Sequence, residues 1–260
     1  MLKYNMFHLL DPRPWPITTS FSFLGFGLGV VIIVHTYNPM PFIFSLGVLL
    51  FSSFIWGVDI HREGCYSGCH TPFVERGFKV GIIIFIFSEL FFFFGIFWSY
   101  FHLAESPTLE LGLVWPPIGV YSFDPKGVPF LNTVLLVSSG ISVTWSHHCI
   151  ESGLFKTSLI SLLFTIILGG VFTCLQIFEY LAARFTFACS SFSSVYFIGT
   201  GFHGLHVLIG RALLLFCLIR FSSMFVRVGH RTGFECSVWY WHFVDVVWFF
   251  LYLVFYWWGV

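Results

Sequence analysis

Glu89, His203, His206, His242 and Asp245 stand inside apolar runs long enough to cross a bilayer, and His147-His148 closes the end of another. A carboxylate or imidazole in hydrocarbon is costly unless it meets a partner, so each marks a function or a packing contact. His203 and His206 are three residues apart, as are His242 and Asp245, and on a helix each pair shares a face. Imidazoles with carboxylates are the donor set of a metal, haem or proton site. The same groups also form interhelical hydrogen bonds worth roughly 1 kcal/mol each. For His147, His148, His203, His206, His242 and Asp245 the packing-network reading is taken. The small residues of Gly199-Thr-Gly-Phe-His-Gly-Leu-His206 suit close helix approach. No catalytic residue and no metal ligand is assigned.

Glu89 keeps two readings: a proton relay facing a polar cavity, or a neutral acid hydrogen-bonded within a bundle. Cys65, Cys69 and His70 share a polar stretch. Zinc sites more often pair one Cys-x2-Cys half with a second, which is not visible here. The basic residues Arg62, His70, Arg220 and His230 suit the phosphate of a lipid headgroup, although basic residues also gather on the inner face without a ligand. Trp115-Pro-Pro reads as a rigid, packed loop without chemistry.

The elements that must position these groups follow from composition. Of 260 residues, 57% are hydrophobic and 22% aromatic, with 37 Phe, but only 9% are charged, where a soluble domain carries about 25%. This is an integral membrane protein. Its net charge of +0 gives no reason to expect a nucleic-acid partner. Apolar runs at about 16–34, 42–58, 80–102, 130–148, 157–179, 192–220 and 234–258 predict an all-α, polytopic membrane bundle of seven transmembrane helices, forming a single membrane domain over 1–260. Asp59–Lys79 and Glu105–Pro129 read as polar loops, and spans one and two as a tight hairpin.

With seven spans, Lys3, Arg13, Arg62, Arg76, Lys79, Lys156, Arg220, Arg227 and Arg231 share the N-terminal side. Only Lys126 and Arg184 lie opposite. That bias predicts an N-terminus in the cytoplasm or the mitochondrial matrix. Glu89 then lies roughly 15 Å deep, at 1.5 Å per residue. The N-terminal residues show neither a signal peptide nor a transit peptide, which is expected of a chain inserted directly or made within its own compartment.

Several strings then act together: Pro14-Trp-Pro16, Arg62-Glu63, Gly68-Cys-His-Thr-Pro72, Ser88-Glu-Leu-Phe-Phe-Phe93, Trp115-Pro-Pro-Ile-Gly119, Leu131-Asn-Thr133, Thr144-Trp-Ser-His-His148, Glu179-Tyr180, Gly199–Val207 and Trp239-Tyr-Trp-His-Phe-Val-Asp-Val-Val-Trp248. In this order, over essentially the whole chain, they resemble the subunit 3 family of cytochrome c oxidase, the metal-free core subunit of haem–copper oxidases. The resemblance implies that a V-shaped cleft filled with phospholipid separates the first two helices from the last five. It implies headgroup contacts at Arg62, Glu63, His70 and Arg220, with Trp56 along the acyl chains and Glu89 facing the cleft. His230 joins the headgroup set from the basic-residue reading.

The resemblance also implies no cofactor bound by this chain, with haem a and copper in subunits 1 and 2. The lipids would be phosphatidylethanolamine, phosphatidylglycerol and cardiolipin. The partners would be subunit 1 chiefly, subunit 2, accessory subunits and a respiratory supercomplex. The location would be the mitochondrial inner membrane, N-terminus in the matrix, with the gene in the mitochondrial genome. The family is thought to stabilise the catalytic subunit during turnover and to aid proton and oxygen access. Cys65, Cys69 and Gly57 depart from the family pattern. Two competing functions are weaker. A desaturase-like di-iron enzyme needs about eight imidazoles on one membrane face, and these are too few and scattered. A proton-coupled transporter built on Glu89 would be expected to show repeats.

Overall fold

The computed structural model describes residues 8, 12–107, 109, 112–120, 122–222 and 231–258. Every regular element among them is helical: α1 (Trp15–Thr36), α2 (Met40–Cys65), α3 (Pro72–Glu105), α4 (Val128–Glu151), α5 (Phe155–Ala182), α6 (Ser191–Ser222) and α7 (Thr232–Leu251). A π-helical turn, Tyr252–Trp258, continues α7. Among the described residues, seven helices are long and apolar enough to span a membrane. In lipid a helix is the way for a single segment to satisfy its own backbone, which is why apolar runs of this length fold so.

The chain forms two compact units, Met1–Gly77 and Phe78–Val260. In the first, α1 and α2 approach closely where Gly29 meets Phe42. A Cβ on Gly29 would sit 2.7 Å from the Phe42 Cα. Ser22, Ser45 and Ser52 are buried there, with hydroxyls donating to carbonyls one turn back. Small residues are what let backbones pack in the absence of a hydrophobic drive. The start of this unit is tied to the end of α2: Arg13 donates to Glu63, and the Trp15 indole to Asp59.

In the second unit, α4 and α5 are joined by hydroxyls, Ser142 to Thr165 at 2.7 Å and Ser146 to Ser158 at 2.8 Å. α7 is the most buried helix, with 56% of its apolar window buried against 33% for α4, α5 and α6. Trp241 and Trp248 lie at its heart. Their indoles donate to Ser139 Oγ (2.9 Å) and Thr133 Oγ1 (3.0 Å) on α4. Gly169 and Gly210 make room for the Trp241 ring, which would lie 2.7 and 3.0 Å from a Cβ at those positions.

Asp59–Lys79 is mostly not a loop. α2 continues to Cys65 and α3 starts at Pro72. Thr71 Oγ1 accepts the Val74 N–H at 3.4 Å, and Pro72 takes the first helical position, where its missing N–H costs nothing.

Candidate functional site

Glu89 on α3 and His206 on α6 meet across 3.0 Å, Oε2 to Nε2. They lie on the wall of an apolar groove of about 400 Å³, with Phe85, Phe92, Phe202 and Tyr240 among its lining. His206 is held from three sides. Its Nδ1 lies 2.7 Å from the Phe202 carbonyl, the Tyr240 ring stacks on it, and the Phe93 ring meets it edge-on. The Glu89 side chain keeps 24% of its exposure, whereas that of His206 keeps 9%. The carboxylate is therefore the member of the pair that opens to the groove.

These distances fix the proton count. A carbonyl oxygen only accepts, so the Phe202 contact requires a proton on Nδ1 of His206. The Nε2–Oε2 contact then holds one proton. Either the carboxylic acid donates to bare Nε2, or the imidazolium donates to the carboxylate. Both arrangements are net neutral, the condition under which two ionisable groups are tolerated in hydrocarbon. The pair can pass that proton between its members and can hydrogen-bond a polar group entering the groove.

The other intramembrane groups have separate partners. His203 is fully buried, with Nε2 3.2 Å from the Val244 carbonyl and its ring between Trp248 and Phe172. His242 Nε2 lies 3.3 Å from Thr144 Oγ1, and its Nδ1 lies 3.8 Å from Asp245. Asp245 packs where Gly140 lacks a side chain; a Cβ there would sit 2.6 Å from Oδ2. His147 stacks on Phe234, and exposed His148 faces Glu151 at 3.4 Å. One nitrogen or oxygen each of His147, His148 and Glu151 fall within 4.8 Å of one another, as do those of His8, Glu63 and His70. Among the described contacts, the six groups read as one network are several local arrangements.

The headgroup candidates are placed as follows. Arg62 is largely exposed, 3.8 Å from Asp59. Glu63 is engaged by Arg13 and, at 3.2 Å, by His8, whose ring lies 5.7 Å from that of His70. Trp56 is half-buried. Arg220 Nη1 would lie 3.2 Å from a Cβ on Gly233. His230 falls outside the described residues. Among the described residues Cys65 and Cys69 form no disulfide, and the Cys65 sulfur lies 3.4 Å from His61 Nδ1.

Sequence reasoning missed the most buried intramembrane carboxylate among the described residues. Glu179, near the end of α5, is 2% exposed, and its Oε1 accepts from the hydroxyls of Tyr196 (2.8 Å) and Tyr256 (2.5 Å). The signal was present. Tyrosine buries its ring and needs a partner for its hydroxyl, and both tyrosines are within reach of this acid.

A family model described as Cytochrome c oxidase subunit III matches residues 5–260. Curated proteins named "Cytochrome c oxidase subunit 3" align over nearly all of both chains. That of the snake Lycodon semicarinatus is 47% identical over 257 residues, covering 99% of this chain and 98% of its own. That of the mosquito Aedes aegypti is 46% identical over 253 residues, 97% of each. That of the tick Rhipicephalus sanguineus is 47% identical over 257 residues, 99% and 100%.

Proposed function

This chain belongs to the cytochrome c oxidase subunit III family, and from that premise we propose that it serves its oxidase by holding helices and phospholipid around the catalytic subunit rather than by carrying electrons. Membership makes it a core subunit of a multi-subunit oxidoreductase complex, and the seven apolar helices make it a multi-pass membrane protein. The finer assignment is ours. The chain sits in the mitochondrial inner membrane with its N-terminus in the matrix. Subunit 1 is its main contact. It binds no redox centre; haem a and copper reside in subunits 1 and 2.

The observation that carries this reading is the Glu89–His206 pair in its apolar groove. The groove offers apolar walls to an acyl chain, and the pair offers one hydrogen-bonding group without net charge. Such a site suits a lipid tail or a transient proton better than a fixed metal, since the groove lining adds no Cys, His or carboxylate to the Glu89–His206 pair. Arg62, Glu63, His70, Arg220 and His230 remain the proposed headgroup contacts, with Trp56 along a tail; within the first unit Glu63 binds Arg13 and His8, whose ring meets that of His70. The test is the density of the native complex around Glu89, together with turnover of a Glu89→Gln oxidase. Lipid density against Phe85 and Phe92, with initial turnover retained and inactivation faster, is expected. A groove filled by a neighbouring subunit's side chains, with unchanged inactivation, would overturn the proposal.

A further inference from the structure

The serine and threonine contacts between α4 and α5 set an antiparallel register: Ser146 faces Ser158, and Ser142 faces Thr165. Moving from that last contact by ten residues back on α4 and eleven forward on α5, roughly 15 and 16 Å, brings Asn132 near the level of Gln176. Both lie on the buried stripes of their helices, Asn132 in line with Ser139 and Leu136, and Gln176 in line with Phe172 and Glu179. Asn132 is 0% exposed, Gln176 5% and Glu179 2%. Yet among the described residues Asn132 Oδ1 and Nδ2 and Glu179 Oε2 find no hydrogen-bond partner, and the Gln176 amide meets the Tyr180 hydroxyl alone, which leaves donor and acceptor capacity on it unmet.

A series of contacts leads from the neighbour of Asn132 to Glu179. Thr133, next to Asn132, accepts from the Trp248 indole at 3.0 Å, and the Trp248 ring lies 6.1 Å from that of Tyr256. Tyr256 donates to Glu179, one turn beyond Gln176 on the same face. An unpartnered buried polar group is costly, and several together in a membrane bundle would be a heavy burden.

We propose that Asn132, Gln176 and Glu179 form an internal hydration site, binding ordered water in the core of α4–α7. The donor set selects the ligand. Two amide NH₂ groups need acceptors, while three oxygens need donors. A cation would satisfy the oxygens and be repelled by the NH₂ groups; an anion would meet the Glu179 oxygen. Water supplies both roles and commonly takes two to four such partners. The Tyr196 and Tyr256 hydroxyls, on the other Glu179 oxygen, orient the carboxylate so that Oε2 is left for the site.

The test is a density map of the intact purified oxidase at a resolution that shows ordered water, with a Gln176→Met variant beside it. Expected are peaks within about 3.2 Å of Asn132, Gln176 and Glu179 at once or in a linked pair, and loss of the peak beside residue 176 in the variant while both tyrosine contacts to Glu179 persist. A direct Asn132–Gln176 amide pair with no peak between α4 and α5 would overturn the proposal. So would a single peak bound by oxygens alone at cation distances. Should the variant not assemble, the native map decides between these outcomes.

Discussion

His206 and Glu89 share one proton across 3.0 Å, because the Phe202 carbonyl fixes the other ring proton of the histidine. Glu89→Gln keeps an oxygen to accept and an NH₂ to donate, so the pair stays hydrogen-bonded whether Nε2 is bare or protonated. Glu89→Leu leaves Nε2 without its partner. The leucine variant is expected to lose about 1–2 kcal/mol of stability, the upper range for an interhelical hydrogen bond in a membrane, and the glutamine variant much less. Thermal inactivation of the purified oxidase reads the difference.

Trp241 is fully buried, and its six-membered ring fills the place of a side chain at Gly169. Gly169→Ala puts a Cβ 2.7 Å from Cη2 of a ring fixed by its bond to Ser139. Overpacking of this kind costs about 1–3 kcal/mol. Gly204→Ala, on α6, meets open space and is expected to be silent. Comparing the melting of the two variants in detergent checks the assignment; equal effects would contradict it.

Tyr256→Phe and Tyr196→Phe each remove one hydroxyl from the same oxygen of Glu179. Each is expected to destabilise the bundle by about 1–3 kcal/mol, and the two should not add, because the hydroxyls also contact each other at 2.8 Å. A double-mutant cycle on assembled oxidase gives the coupling. Simple additivity would mean that the cluster does not act as a unit.

Cys189 is exposed in the segment between α5 and α6, with its sulfur 3.2 Å from the Thr186 N–H and 3.1 Å from Oγ1. The Thr186 side-chain and backbone hydrogen bonds lower the thiol pKa. A lowered thiol pKa means that the reactive thiolate is present at lower pH. Alkylation of Cys189 should therefore rise at a pH below that of a free thiol, about 8.5, and Thr186→Val should move the profile back up. Mass-spectrometric labelling against pH follows both. A profile identical in the two proteins would contradict the hydrogen-bond origin.

The spans were legible because hydropathy reports bilayer thickness, which sequence runs match. Their ends were not, because helices continue past the membrane. Asp59–Lys79 looked like a loop by polarity, although Thr71 and Pro72 together spelled a helix start. Glu89 was legible as a costly group, but not its partner, since the bond to His206 links positions 117 apart and depends on how two helices are rotated. His203 and His206 shared a face by spacing. A separation of three residues still leaves about 60° between them, enough to aim one at the α7 backbone and the other at α3. Glu179 looked interfacial because it closed an apolar run. Its burial comes from Tyr196 and Tyr256, whose rings read as ordinary aromatic filling.

The most direct measurement is the haem and copper content, initial turnover and turnover decay of the oxidase stripped of this chain. Unchanged haem and copper with near-full initial turnover, followed by faster inactivation that added phospholipid and the chain together restore, is the expected result. Stoichiometric loss of haem or copper with the removed chain would contradict a subunit that holds helices and lipid rather than electrons.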